Sequence, residues 1–100
     1  MAAEPDATMR LDRFLWYARI VKTRAFAQAL VGAGHVRLDG RAVDRPAASV
    51  RVGNVLTFAD HRGRVRALRI AALPARRGPP AEARLCYVDL ANVSQEASDD

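Results

Sequence analysis

The sequence predicts a single α+β domain in which two N-terminal helices pack on a small, mostly antiparallel sheet and a short helix follows. Apolar residues recur at helical spacing in the first third of the chain and alternate singly through its middle. A stretch rich in Pro and Gly then interrupts regular structure near residue 74. The length of 100 residues, half of them hydrophobic, is typical of one small globular unit.

The first helix is expected over about residues 11–20. Asp12 lies in its first turn, where we expect a structural role through the helix dipole and a nearby arginine. A second set, Arg13, Trp16 and Ile20, falls on the far side, which either the C-terminal segment covers or a partner binds. The apolar stripe that faces the core consists of Leu11, Phe14, Leu15, Ala18 and Val21.

The second helix is expected over about residues 24–33. Thr23 is its predicted N-cap, because a threonine hydroxyl can accept from the free backbone N–H groups of the first turn, and Gly34 ends it. The predicted face of Arg24 and Gln28 lies opposite the apolar stripe, beside the helix N-terminus, where the dipole favours a phosphate. That predicted stripe consists of Phe26, Ala29, Leu30 and Ala33.

A β-hairpin is predicted around Asp39-Gly40, a strong two-residue turn signal between the alternating runs 35–38 and 41–43. A tight turn pairs Leu38 with Arg41 and points Arg37 away from the core. It also pairs Val36 with Val43.

Two further strands are predicted, over residues 55–58 and 64–70, with Arg64, Arg66 and Arg69 on a solvent face of the second one. Residues 74–80 form a loop, and residues 81–90 are expected to form a short returning helix. Its inward side chains are predicted to be Leu85 and Val88, with Cys86 or Tyr87. The predicted organisation is therefore a disordered lead-in at 1–9, a domain at 10–73, a returning segment at 74–90 and an acidic disordered tail at 91–100.

Positive charge is concentrated in the middle of the chain. The 16 basic and 11 acidic residues give a net charge of +5, but residues 10–70 hold 13 of the basic residues and four of the acids, a net of +9. All the basic residues except Lys22 are arginines, which suit bidentate phosphate contacts and stacking on bases. This distribution indicates a polyanionic partner.

Several classes of function are disfavoured. No run approaches the roughly 18 apolar residues of a membrane span, and the acidic start does not resemble a signal peptide, so we expect a cytoplasmic protein with no membrane partner. Cys86 is expected to be a buried structural thiol, and His35 and His61 ordinary surface residues, so neither a metal nor a cofactor is expected. No phosphate-loop, dinucleotide or nucleophile-elbow motif occurs, and an enzyme is not expected.

The segment from residue 10 to 58 resembles the RNA-binding domain of the small-subunit ribosomal protein S four type, the alpha-L motif. The residues that carry the resemblance are Arg10-Leu11-Asp12, Lys22-Thr23-Arg24, Ala27, Leu30, Gly34, Val36, Asp39-Gly40 and Val52-Gly53-Asn54. Over roughly residues 10–90 the chain also resembles the bacterial heat-shock protein fifteen group. That likeness adds Arg76-Arg77-Gly78-Pro79 and Leu85-Cys86-Tyr87.

The resemblance implies a non-catalytic protein that binds structured RNA, namely rRNA and tRNA on the large ribosomal subunit. It further implies a stress-response role in ribosome quality control, in rescue of subunits left with peptidyl-tRNA, and we expect a monomer. The charged groups near the junction of the first two helices are expected to share an outward-facing surface, and the hairpin arginines to extend its track. Carried over by motif position, the implied RNA contacts are Arg10, Arg13, Lys22, Thr23, Arg24, Gln28, Arg37 and Arg41. Two alternatives stay open: an accessory that brings RNA to a separate modifying enzyme, and a protein-interaction module built on Trp16 and Ile20.

Overall fold

The computed structural model describes residues 7–60 and 62–90 and has two layers, helices on one side of an antiparallel sheet. The helices are α1 (Leu11–Tyr17), α2 (Arg24–Gly32) and α3 (Pro80–Ala83), the last followed by a 3-10 turn at Arg84–Cys86. The strands are β1 (Met9–Arg10), β2 (Val36–Leu38), β3 (Arg41–Val43), β4 (Ser49–Val50), β5 (Val55–Ala59), β6 (Val65–Ile70) and β7 (Tyr87–Asp89). The predicted α+β class is confirmed.

Five strands form the main sheet, in the order β3-β2-β5-β6-β7, and every neighbouring pair is antiparallel. The hairpin strand β3 therefore forms one edge and β7 the other. Because directly paired residues share a face of a sheet, the register places Leu38, Leu56 and Leu68 together on the face that packs under the helices, the core face. The opposite side is the outer face.

The first helix packs as its sequence pattern predicts. Its whole stripe is buried, and Phe14 and Leu15 have no exposed surface. The helix itself ends earlier than expected, at Tyr17, where the chain turns through Arg19 with φ of 59°. Burying this stripe against the sheet supplies much of the hydrophobic stabilisation of the fold.

The prediction of which face of α2 is buried is wrong. Its buried residues are Ala27 and Val31, whereas Phe26 is half exposed and Ala29 and Ala33 are exposed. Phe26 is the largest apolar side chain in the segment, but the small side chain of Ala27 is the one placed against the core, where it leaves room for close helix packing. The helix is therefore rotated relative to the prediction, and Leu30 is only partly buried.

The hairpin prediction is confirmed in turn and register. Leu38 pairs with Arg41 and Arg37 with Ala42, while Asp39 and Gly40 both have positive φ, at 52° and 88°. Two consecutive residues of positive φ match the right-handed twist of the strands that they join. Arg37 points away from the core and is exposed, as expected.

The prediction for β6 is wrong at Arg66. This residue pairs with Phe58 on the core face, and its guanidinium lies 5.8 Å from the centre of the Phe58 ring and 3.4 Å from the Asp89 carboxylate. An arginine can occupy the margin of a core because its stem packs while its charge meets a carboxylate. Arg64 and Arg69 are exposed.

The returning segment also differs from its prediction. The helix breaks after one turn and the chain continues as β7, which pairs with β6. Leu85 and Val88, expected inside, are exposed at 75% and 46%, and the buried residues are Ala83 and Cys86. Burial and the charge of Glu82 raise the pKa of the Cys86 thiol, in keeping with a structural role.

Met9, the last residue of the predicted disordered lead-in, is part of a strand. It pairs with Val50 in the two-stranded β1-β4 ribbon. Residues 1–6, His61 and the predicted acidic tail lie outside the described residues. No helix within the two described stretches is long and apolar enough to cross a bilayer.

Candidate nucleic-acid interface

The Asp12 carboxylate joins the first two helices. It is completely buried, yet it accepts four hydrogen bonds. Arg10 donates twice, from Nε at 3.0 Å and Nη2 at 2.9 Å, and Gln28 donates from α2 through Nε2 at 3.1 Å. The fourth donor is the backbone N–H of Arg13, at 2.8 Å. The structural role predicted for Asp12 is confirmed, and its arginine partner is Arg10.

These contacts also fix the charge of Asp12. Burial by itself raises the pKa of its carboxyl group, but the hydrogen bonds from Arg10, Gln28 and Arg13 and the Arg10 charge lower it by more. The net pKa of Asp12 is therefore below its ordinary value, and that of Arg10 is raised, chiefly by the same hydrogen bonds. The carboxylate stays ionised at neutral pH and holds Arg10 and Gln28 in fixed positions.

The start of α1 is closed to ligands by its own backbone. The N–H of Leu11 donates to the carbonyl of Ala48 at 2.8 Å, and that of Asp12 donates to Pro46 at 3.0 Å. With the Arg13 amide on the Asp12 carboxylate, the donors of the first turn are occupied. An anion at this end would meet the Arg10 side chain rather than the helix dipole.

The start of α2 carries the basic residues of the Lys22-Thr23-Arg24 run. The Thr23 hydroxyl accepts from the Phe26 N–H at 3.0 Å, so the predicted N-cap is confirmed. Arg24 is partly buried, and its Nε has no hydrogen-bond partner within residues 7–60 and 62–90. Arg24, Ala27 and Gln28 share the side of α2 that meets α1. Gln28 is exposed there, as expected from the sequence, whereas Arg24 is partly buried.

Lys22 is exposed in the α1-α2 loop, and Arg13 is partly exposed on α1. Among residues 7–60 and 62–90, no carboxylate lies within 4.0 Å of the charged nitrogens of Arg13, Lys22 or Arg24. Their charges are available to a ligand. This contrasts with Arg10, which is neutralised by Asp12 and still 42% exposed at its side chain.

The two hairpin arginines lie on opposite faces of the sheet, since Arg41 pairs with Leu38 of the core face and Arg37 pairs with Ala42. Arg37 lies on the outer face and donates to the carbonyl of Gly40 at 3.2 Å, within its own turn. Arg41 is exposed on the edge strand. Six of the eight residues of the expected contact set lie at the α1-α2 junction, and Arg37 and Arg41 lie on the hairpin at the edge of the sheet, where they were expected to extend the track.

The hairpin turn is held in place by a second carboxylate. Asp39 accepts from the Val55 N–H and from the Asn54 side chain, both at 2.8 Å, and Asn54 in turn accepts from the Arg51 N–H. This network ties the tip of β2-β3 to the loop before β5. The backbone that carries Arg37 and Arg41 is therefore held in place.

The C-terminal segment covers the side of α1 that carries Trp16. The Arg77 guanidinium lies 5.5 Å from the centre of the Trp16 ring, and Arg19 donates through Nε to the carbonyl of Gly78. Of the two expectations for this side, cover by the chain itself is the one observed for Trp16. Sequence reasoning gave Arg19, Arg77 and Arg84 no role, although Arg77 belongs to one of the motifs quoted for the resemblance.

Comparison with known proteins gives matches over most of the chain. The S4 domain family model matches residues 9–56. Heat shock protein 15 of Escherichia coli K12 is 33% identical over 91 residues, 91% of this chain and 67% of that protein. Small ribosomal subunit protein uS4 of Staphylococcus haemolyticus is 46% identical over 48 residues, 48% of this chain and 24% of its own. The trimeric structure of Vibrio cholerae heat shock protein 15 has a TM-score of 0.80, 28% identity and 93% coverage of both chains.

The fold and the matched segment define an RNA-binding protein of the S4-domain class. The match includes both helices of the α1-α2 junction, the hairpin and the Asn54 loop. The chain belongs to the heat shock protein 15 family, since its likeness to that family extends through the returning segment as well as the S4 domain. The resemblance read from the sequence is confirmed.

The Asp12 contacts predict a pH-dependent stability. A carboxyl group whose folded pKa is lowered contributes fully above its unfolded pKa, about 4, and loses that contribution as pH falls through the folded value. We expect Asp12→Asn to lower the free energy of unfolding at pH 7 by about 2 kcal/mol, because hydrogen bonds to a charged group are lost. That difference from the wild type should shrink below about pH 4.

Urea unfolding of both proteins between pH 7 and pH 3 measures this difference. Asp44→Asn is the matched control, because Asp44 is exposed, and it should change stability little at any pH. A difference for Asp12→Asn that stays constant down to pH 3 would contradict the assignment.

Proposed function

We propose that this chain is a non-catalytic RNA-binding protein that recognises folded RNA by shape, through phosphates and 2′-hydroxyls. The observation that carries the proposal is the group of unpaired cations at the α1-α2 junction of an S4 domain, within the described part of the chain. Phosphate contacts position a protein on RNA, and the minor groove of an RNA helix presents 2′-hydroxyls to side chains such as Gln28.

The proposed contact set contains all eight residues expected from the sequence, and they contact RNA in different ways. Arg13, Lys22 and Arg24 bind phosphates directly, with Thr23 positioning the start of α2. Arg10 and Gln28 contact RNA with the groups that Asp12 leaves free, in positions that Asp12 fixes. Arg37 and Arg41 extend the track to the hairpin, so RNA that contacts both groups would cross from the helices to the sheet edge.

We predict that the affinity for a hairpin RNA depends strongly on salt. If about five side chains neutralise phosphates, log affinity should fall against log salt with a slope of about −3 to −5. Lys22→Glu should weaken binding about tenfold or more and make the slope shallower by about one to two. Its melting temperature should stay within about 4 °C of the wild type, because Lys22 is exposed.

Fluorescence anisotropy at several salt concentrations measures these quantities. Arg64→Glu makes the same type of charge reversal in the exposed β5-β6 turn and should reduce affinity less than about threefold. A slope near zero, or equal losses in the two variants, would count against the proposed interface.

We further propose that the RNA is rRNA and tRNA of the large ribosomal subunit, and that the protein acts in the cytoplasm to rescue subunits that carry peptidyl-tRNA. Support comes from membership of the heat shock protein 15 family. Ultraviolet crosslinking in cells, followed by sequencing of the attached RNA, should recover large-subunit rRNA and tRNA. Recovery of another RNA, together with copurification of a modifying enzyme, would instead favour an accessory role for that enzyme.

We propose that the functional unit is a monomer. The core of the described residues is completed within one chain, from helices, sheet and returning segment. The Vibrio cholerae relative is described as trimeric, so the state of this chain is a specific question. Sedimentation equilibrium at micromolar concentration should give the monomer mass of 10.9 kDa, and a stable trimer would contradict the proposal.

A further inference from the structure

A pocket of about 350 Å³ lies between the α1-α2 loop and the returning C-terminal segment, next to the proposed interface. Arg19 and Lys22 lie on the loop side, and Arg77, Arg84 and Tyr87 lie on the other side. The two sides come from residues about 55 positions apart in sequence, and the Arg77 guanidinium approaches the Lys22 carbonyl at 3.5 Å. The fold therefore builds this pocket by docking the C-terminal segment.

The charge of the pocket is of one sign. Of the described residues that line it, four are cations and none is acidic. The nearest acid in sequence, Glu82, is engaged by the Arg76 guanidinium at 2.8 Å. Four cations without a carboxylate among them form a site for an anion with more than one oxygen, such as a phosphate.

Two of these arginines are held in place by the protein. Arg19 is fixed by its bond to the Gly78 carbonyl, and Arg77 by its position over the Trp16 ring. The Nε of Arg77 is buried and has no hydrogen-bond partner among the described residues. Arg77 as a whole is partly exposed and lines the pocket, so its guanidinium can donate to a phosphate oxygen there.

The aromatic ring of Tyr87 indicates a ligand that carries a base as well as a phosphate. Tyr87 is partly exposed and lines the same pocket as the cations, and the Arg66 guanidinium lies 5.9 Å from the centre of its ring. Unpaired RNA bases stack on exposed aromatic rings while cations hold the backbone. The pocket volume is at the lower end of the range of small-molecule sites, roughly 300 to 1,000 Å³, which is enough for one nucleotide.

We propose that this pocket binds one unpaired nucleotide of the RNA, with its phosphate on the cations and its base against Tyr87. The inference rests on the proposed function and adds a preference to it. Lys22 belongs to both surfaces, so a strand held at the start of α2 continues directly into the pocket. The protein would then prefer structured RNA that has a single-stranded end or bulge beside the helix.

The preference is tested with one RNA hairpin prepared blunt, with a 5′ overhang, with a 3′ overhang, or with a single bulged nucleotide. The full chain should bind at least one of the three altered hairpins about tenfold more tightly than the blunt one. Arg84→Glu should abolish that gain, while its affinity for the blunt hairpin equals that of the control Arg64→Glu. Arg64 is also an exposed arginine and lies at the far end of β6, roughly 20 Å along the strand from Ile70, the residue that pairs with Tyr87.

A second measurement separates failure of the pocket from failure of RNA binding. The amide NMR signals of Ala83, Arg84 and Tyr87 and the ring signals of Tyr87 are followed during titration with a nucleoside monophosphate. A parallel titration uses inorganic phosphate. The nucleotide should shift the Tyr87 ring signals, and phosphate should not. If the blunt hairpin binds, but no overhang or bulge adds affinity and the nucleotide causes no shifts, the pocket proposal is wrong and the proposed function stands.

If no hairpin binds, the proposed function fails, and the nucleotide titration alone decides on the pocket. Equal shifts with phosphate and nucleotide would reduce the pocket to an anion site and overturn the assignment of the base to Tyr87.

Discussion

The carboxylate of Asp12 is buried between α1 and α2, and its charge is compensated by four hydrogen bonds from Arg10, Arg13 and Gln28. A buried charge is tolerated only when it is paired and hydrogen-bonded, so the relative placement of the two helices has to keep all these donors within reach. Removing the carboxylate would leave two polar side chains without a common partner. The geometry of the proposed RNA surface therefore depends on a group that RNA does not touch.

This constraint separates the basic residues by function. Arg10 forms an ion pair with Asp12, whereas Lys22 and Arg24 have no carboxylate partner among the described residues. The C-terminal segment extends the same basic surface, because Arg77 docks on Trp16 next to Lys22. In this account the S4 domain supplies the surface for folded RNA, and the returning segment adds a site for a single nucleotide.

The sequence pattern was informative where local rules decide the structure. The hairpin register follows from Asp39-Gly40, since a turn that needs two residues of positive φ leaves one pairing of the flanking strands. The rotation of α2 was not predictable, because an alanine-rich helix offers several weakly apolar faces and the buried one depends on how closely α1 approaches Ala27. The Asp12 contact with Gln28, 16 residues away, carries no local signal.

Residue-resolved NMR mapping of the full chain with a hairpin RNA shows whether RNA binds at the α1-α2 junction in a geometry that Asp12 fixes. We expect the largest shifts at the α1-α2 junction, from Arg10 through Gln28, with smaller ones on the hairpin. Asp12→Asn should spread or weaken this footprint while the protein stays folded. A footprint centred on the β5-β6 turn would contradict the proposed interface, and an unchanged footprint in Asp12→Asn would contradict the role of Asp12 in it.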